Sequence, residues 1–583
     1  MPKGSRLTYE GSRSGPPPAG ITGRIASSFE LSPFQAAPIV PVASSVREAG
    51  IERAAERLGR RLSQEQRRLI SMALTGRDTL TLLPSGSRQV GTALVAASMM
   101  EHPAIVVHPA STWLKVHHDH LTARGVPSVC LDDTLSTHDR RTLVERVRFA
   151  RSLVVLVTPR MLQREAVSRA LGQASVSLAV LIEAQLFSEF SSEFEPSSAC
   201  LDDVLEVLGR PVVMAFSSVA SAAVRSDLID GLRLRDPVVF DAPVVRTNIR
   251  LQVLRCEPEA RRRILVSELS ALDPPGVVIC SNPREVEAVH QALGALNIKS
   301  YRYHSGMPHQ ARFAEQHAFA HQGRRAVMVA ESGFVGLSAV GTDDRDAPSG
   351  YGLGTCRGDL RYLIHFRAPA SLEQYVRDLG LLGRDGVPAH ALMLYSPEDL
   401  ECYPARPSLT ALTALLELLQ RGEDVPVTVS ELASRMSASE AATAELVEAL
   451  VDAGLVVRMG GWVRRALSPA QLMKRGEFLL DQLETLSEGD VQRRAQVGAF
   501  ASEQPEAGCR FVSLHRYLGL PGGEPCGVCD PCEANGASAS SARVISRPAQ
   551  RRFEVEVERH GTQLTTSGEP LGFKLRAAVD RER

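Results

Sequence analysis

Cys509, Cys526, Cys529 and Cys532 stand as C-x16-C-x2-C-x2-C in the segment CRFVSLHRYLGLPGGEPCGVCDPC. Three thiolates on a turn-rich stretch can converge on one ion. A fourth, delivered from a preceding helix, completes the tetrahedral shell that zinc prefers. The other cysteines are scattered singly and nothing marks the chain for export, so a disulfide framework is a poor account of the four. The spacing predicts a closed, structural Zn²⁺ site.

Elements must bring those sulfurs together, and the chain is long enough for several. Its 583 residues exceed what one core can serve, and three to five domains are expected. Lys and Arg total 66 against 67 Asp and Glu, so no global basic field announces nucleic acid, and any DNA contact must come from local patches. No apolar run approaches membrane-spanning length, and MPKGSRLTYEGSRSGPPPAG lacks the apolar core of a signal peptide, which predicts a cytoplasmic protein away from membranes.

Residues 1–48 are rich in Gly, Ser, Pro and Ala and are expected to be disordered. Short β-branched runs then alternate with helical stretches. AIVVHPA, SLVVLVTP, LAVLIEA and RPVVMAFSS read as buried parallel strands, followed by PGVVICSN, RAVMVAES, RYLIHFRA and HALMLYSP. The pattern predicts two doubly wound α/β lobes, 49–243 and 244–404, with functional loops at the C-terminal ends of the strands. From 405 to 467 the pattern changes. SLTALTALLELLQR is an amphipathic helix, Ser430 is placed to cap ELASRM, and a turn at Ser437 leads into SEAATAELVEALVDAG, ended by Gly454. LVVRM-GG-WVRR reads as a hairpin, so the unit is expected to be a winged helix. The cysteine module is assigned to 468–535, and 536–583 to a linker and tail.

The order of motifs along residues 58 to 535 resembles that of the RecQ family of DNA helicases. Gln66 matches the family's adenine-reading glutamine, and LPSGSRQV at Leu83–Val90 its phosphate loop MPTGGGKS. IEAQ at Ile182–Gln185 matches DEAH, and SEFSSEFEP at Ser188–Pro196 the aromatic-rich loop. VVRTNIR at Val244–Arg250 echoes the residues joining the lobes. In the second lobe ICSNPREVEAV, YHSGM (with His304), YGLGTCRGDLRYLIHF (with Arg357) and RDLGLLGRDG match the family's segments in order. The resemblance implies two tandem RecA-like lobes, ATP and Mg²⁺ as cofactors, and DNA as partner.

The same alignment predicts a damaged motor. A phosphate loop needs small residues, a lysine for the β and γ phosphates and a hydroxyl for Mg²⁺. Here Gln89 stands at the lysine, Val90 at the hydroxyl and bulky Arg88 at a glycine, so only Pro84, Ser85 and Gly86 keep the pattern. Ile182 replaces the Mg²⁺-holding Asp. Glu183 keeps the place of the water-orienting base but has no metal or lysine to work with, and Gln185 stands at the linking His. Arg377 and Leu381 replace the last motif's Gln and first Arg, and Arg384 occupies the arginine-finger position. Loss of hydrolysis is expected, with Glu183 and Arg384 as remnants.

DNA contacts are expected from the aromatic-rich loop and the wing, and the resemblance implies them for His304 and Arg357 of the second lobe. Phe190 and Phe194 could stack bases at roughly 1–3 kcal/mol each. Glu189, Glu193 and Glu195 beside them repel phosphates, and packing of both rings onto the lobe is an equal alternative. The presumed recognition helix carries Glu440, Glu445, Glu448 and Asp452 and no Lys or Arg, so wing contact through Arg458, Arg464 and Arg465, or docking of a repair protein, is favoured over insertion in a groove. An acidic insertion, 335–350, is read as relaxed constraint or as a contact loop. Three functions are open at this level: a DNA-binding scaffold with a defunct motor, an active 3′-to-5′ helicase with atypical nucleotide contacts, or a structural subunit that binds neither ATP nor DNA.

Overall fold

In the computed structural model the described residues are 44–83, 87–108, 111–132, 134–188, 201–241, 246–322, 326–332, 358–401, 408–422, 425–459, 461–502, 508–520 and 524–535. A helix, Ser44–Arg57, begins inside the 1–48 segment expected to be unstructured, because Ile51 and Ala55 bury against the first lobe. Residues 1–43 and 536–583 lie outside the described part.

The first lobe is a parallel sheet of seven strands: β1 (Thr79–Leu82), β2 (Ala104–Val107), β3 (Ser128–Leu131), β4 (Val154–Val157), β5 (Leu178–Ile182), β6 (Val212–Ser217) and β7 (Val238–Asp241). Their order is β3-β4-β2-β5-β6-β1-β7. Uninterrupted apolar runs are what a sheet covered on both faces demands. In β2, Ile105 and Val107 feed one core while Ala104 and Val106 feed the other. In β5, Ala179 and Leu181 point one way and Leu178, Val180 and Ile182 the other. Asp78, just before β1, is buried. It accepts from Val213 N (2.9 Å) and Arg235 N (2.7 Å), pinning the entry of β1 to β6.

The second lobe has six parallel strands, β8 (Ile249–Arg255), β9 (Gly276–Cys280), β10 (Ser300–Tyr303), β11 (Val327–Glu331), β12 (Tyr362–His365) and β13 (Ala389–Tyr395), in the order β10-β11-β9-β12-β13-β8. Val278, Ile364 and Leu392 pack on one face. Val277, Leu363 and Met393 pack on the other, together with Tyr375, Phe500, Leu514 and three of the four cysteines. The C-terminal module therefore completes a core of this lobe, at about 1.5–3 kcal/mol per large apolar side chain buried.

Between them, helices Leu409–Arg421, Val429–Met436 and Glu440–Asp452 pack on a small antiparallel sheet, β14 (Val427–Thr428), β15 (Val456–Met459) and β16 (Trp462–Arg465), in the order β14-β16-β15. Thr428, not Ser430, caps the second helix, its Oγ1 accepting from Glu431 N at 3.2 Å; the helix starts earlier than expected, because Val429 extends it. Ser437 is left-handed at φ 53 as that helix's C-cap. The helix Pro469–Ser502 runs on for 34 residues, roughly 50 Å. Leu472, Leu479, Leu483 and Leu486 bury in the helix-sheet unit, and Val497 and Phe500 in the second lobe. No helix among the described residues is long and apolar enough to cross a membrane.

Candidate nucleotide and metal sites

At the end of β1 the chain enters the helix Ser87–Ser98. Pro84, Ser85 and Gly86 and the side chain of Arg88 lie outside the described residues. Gln89 is buried, and its Nε2 donates to Leu83 O at 2.6 Å, back toward the strand end. Val90 and Ile182 both pack into one core of the lobe. Gln66 is buried too. Its Oε1 accepts from Ser63 N (2.8 Å), closing a capping box, and its Nε2 donates to Thr92 Oγ1 (3.0 Å).

Glu183 takes a left-handed conformation, φ 55, at the end of β5. Its Oε2 accepts from Ser218 Oγ (2.6 Å) and Gln185 Nε2 (2.7 Å), while Gln185 Oε1 accepts from Ser217 Oγ (2.8 Å) and Ser218 N (3.3 Å). The acid is thus bound into a buried bridge between the ends of β5 and β6. The sequence showed Glu183 and Gln185 but not that the Ser217–Ser218 pair would hold them; two hydroxyls at a neighbouring strand end were the available sign.

In the second lobe, Arg246 Nη1 donates to Gly380 O (3.0 Å), and Asn248 Nδ2 to Gly383 O (2.9 Å) and Val387 O (2.7 Å). Gly383 sits at φ 51, and a Cβ there would stand 2.4 Å from Asn248 Nδ2, so only glycine fits. Arg384 Nε donates to Gly380 O at 2.9 Å and props the same turn, and Leu381 is core. His304 is buried with Nε2 2.9 Å from Glu287 Oε1. Burial opposes ionisation of Glu287, yet hydrogen bonds from Arg302 and His304 outweigh it and hold the carboxyl below its ordinary range. Phe190, Phe194, Arg357 and the 335–350 insertion lie outside the described residues.

On the helix-sheet unit, Glu440, Glu445 and Glu448 are exposed along one helix. Arg458 pairs with Glu448, and Arg465 Nη1 donates to Gln420 O (3.3 Å). Arg464 is exposed.

The four cysteine sulfurs all lie within 4.8 Å of one another, with Cys509 and Cys529 3.9 Å apart. A tetrahedral ion with bonds of about 2.3 Å separates its sulfurs by roughly 3.8 Å, so the set fits a metal such as zinc. Cys509 comes from the head of the helix Arg510–Tyr517, and Cys529 from the head of Asp530–Ala534. Hydrogen bonds from Cys526 and Cys529 pull the Cys509 sulfur toward the thiolate, and Cys526 N donates to it at 3.2 Å. Around them, Arg510 binds Asp530 with two nitrogens (Nη2 at 2.8 Å) and reaches Phe500 O at 2.6 Å. Asp530 accepts from Val253 N (3.2 Å), and Arg250 grips Glu533 with Nε at 2.8 Å and Nη2 at 2.7 Å. These supports escaped sequence reading; the Asp between the last two cysteines was the one visible sign.

Comparison with known proteins agrees with the motif order. Over 367 residues, 62% of this chain, it is 25% identical to RecS of Bacillus subtilis, which bears the name of a probable ATP-dependent DNA helicase. Over 334 residues, 57% of the chain, it is 22% identical to the ATP-dependent DNA helicase RecQ of Pasteurella multocida. By sequence the chain is RecQ-like. No family model matches it. The RecQ-like chain spans 70% of the RecS protein but half of the Pasteurella RecQ. Among solved structures, a DUF1998 helicase MrfA bound to DNA aligns at TM-score 0.48 and 15% identity, covering 76% of this chain and 62% of that one.

Proposed function

We propose that this RecQ-like chain binds DNA, single-stranded or at a junction, in repair or recombination, and that it does so without hydrolysing ATP. The observation that carries the reading is Gln89: at the position of the phosphate-loop lysine stands a neutral amide, buried and turned onto the Leu83 carbonyl. Val90 and Ile182, at the two Mg²⁺-binding positions, are committed to the core, and Glu183 is bound by Gln185 and Ser218. Phosphoryl transfer depends on positioned charge, and these residues supply neither the cation nor a metal ligand.

Cys509, Cys526, Cys529 and Cys532 would hold a structural Zn²⁺, which when bound supplies a cross-link between the heads of two short helices. Unit 405–467 is read as a winged helix whose acidic helix face suits a basic partner protein better than a phosphate backbone. The test is single-stranded-DNA-stimulated ATPase measured beside DNA affinity at two salt concentrations. Salt-dependent binding with no turnover is expected. Turnover of about 1 s⁻¹ or faster would overturn the reading in favour of a working helicase, and absence of both activities would leave a structural subunit.

A further inference from the structure

The small sheet has two unlike faces. Across β15 and β16, Val457 pairs with Arg464 and Met459 with Trp462, while Thr428 of β14 pairs with Trp462 from the other side. Side chains alternate along each strand. Val463 and Val456, at 0% and 2% exposure, point into the core, so Trp462, Arg464 and Val457 share the outer face. Trp462 is 50% exposed and Val457 47%. Trp462 and Arg464 are two residues apart on one strand, roughly 7 Å. At the foot of this face a cavity of about 550 Å³ opens between Val457, Arg464, Arg465, Leu467 and Pro469.

We propose that this outer sheet face, with Trp462 as its stacking residue, is a platform for single-stranded nucleic acid; the proposal rests on the DNA-binding reading above. An exposed indole offers a π-face to a base, a guanidinium on the same strand offers charge to the adjoining phosphate, and the cavity beside them is lined by two arginines together with Val457, Leu467 and Pro469. Charge decides the side of the unit. The helix Glu440–Asp452 exposes Glu440, Glu445 and Glu448, which repel a backbone, whereas the outer sheet face presents Arg464. A duplex keeps its bases stacked on one another, so a lone exposed indole favours an unpaired strand.

The molecule carries its own probe. Of its 2 tryptophans, Trp113 is 3% exposed and stacked on His108 in the first lobe, so the accessible emission belongs to Trp462. The full chain is titrated with a 20-nucleotide oligo-dT, following tryptophan emission and, in parallel, the anisotropy of a labelled copy. Quenching that tracks the anisotropy is expected. Trp462→Ala and Arg464→Glu should each weaken binding about fivefold or more, with Trp462→Phe retaining most of the affinity. Both sites are exposed, and an unchanged melting curve verifies folding. Binding seen by anisotropy with unaltered Trp462 emission and unaltered variant affinities would overturn the platform while leaving DNA binding intact. Equal quenching by a hairpin duplex would overturn the single-strand assignment. Quenching by poly-Glu peptide but not by oligo-dT would make the face a protein-docking surface, and no binding by either readout would remove the DNA-binding reading along with it.

Discussion

Asp399 is 0% exposed and fully engaged. Arg261 Nη2 lies 2.7 Å away, Arg367 Nη1 3.2 Å, and the N–H groups of Ser396 and Ala368 donate at 3.0 and 3.3 Å. Arg261 is itself 1% exposed, so the pair joins the helix Arg261–Ala271 to the exit of β13 with no help from solvent. Asp399→Ala would strand a buried guanidinium. A loss of about 3–5 kcal/mol is expected from urea unfolding, and a loss below 1 kcal/mol would show that water or Glu285, through Arg367, takes over. The lesson for reading side chains lies in the contrast with Gln89. Its chemical type, wrong for a phosphate, was visible in the sequence. Its direction was not, because the nearest carbonyl acceptor, Leu83 O, is defined only once β1 and the following helix are in place.

At the scale of elements, the helix Leu372–Leu379 matters most to the site, since it leads directly into the Gly380–Gly383 turn that Arg246 and Asn248 hold. All of its residues are buried, and Leu372, Tyr375, Val376 and Leu379 share a core with Phe500, Phe511 and Leu514 of the C-terminal module. Tyr375 meets Phe500 at 5.5 Å between ring centroids, and Tyr517 hydrogen-bonds Glu373, where burial and that carboxylate push the phenol above its ordinary range. Removing with a chelator the metal proposed for the four cysteines should free the helix Arg510–Tyr517 and, through it, speed amide exchange in Leu372–Leu379 while β1–β7 stay protected. Hydrogen-exchange mass spectrometry reads this, and unchanged exchange in Leu372–Leu379 would refute the linkage. The central strands of both lobes were legible because continuous Val, Ile and Leu runs have few alternatives between covered faces. β10 (SYRY), the two-residue β14 and the helix Pro469–Ser502 were not. The first two are polar or very short. The helix changes its buried face midway, from Leu472–Leu486 against the small sheet to Val497 and Phe500 against the second lobe, so no single stripe marks it.

Over the whole molecule, the cysteine module touches both lobes. Arg250–Glu533 and Val253–Asp530 fasten it to the second. On the first, Arg225 Nη2 donates to Leu518 O at 3.3 Å, and Gly519, at φ 67, leaves Ala222 just 3.1 Å from where a Cβ would stand. Val219 of the first lobe joins the second lobe's core cluster. Arg225→Ala, which also cuts the pair with Asp241 (3.1 Å), should move the thermal transitions of the two lobes apart relative to the unaltered protein, read by calorimetry on both. Transitions at unchanged temperatures would mean that the lobes do not communicate through this turn.

The module's place in the chain sets a schedule for biosynthesis. The apolar face it covers, around Tyr375 and Leu379 of the second lobe, leaves the ribosome well before residue 535 does. At roughly 5–20 residues per second the interval is on the order of 8–30 s. During that time a finished sheet waits with one face open, at risk from neighbouring nascent chains, until the four cysteines arrive and close it. A metal held by the four cysteines, as proposed above, would then make its own supply act on how much folded protein a cell recovers.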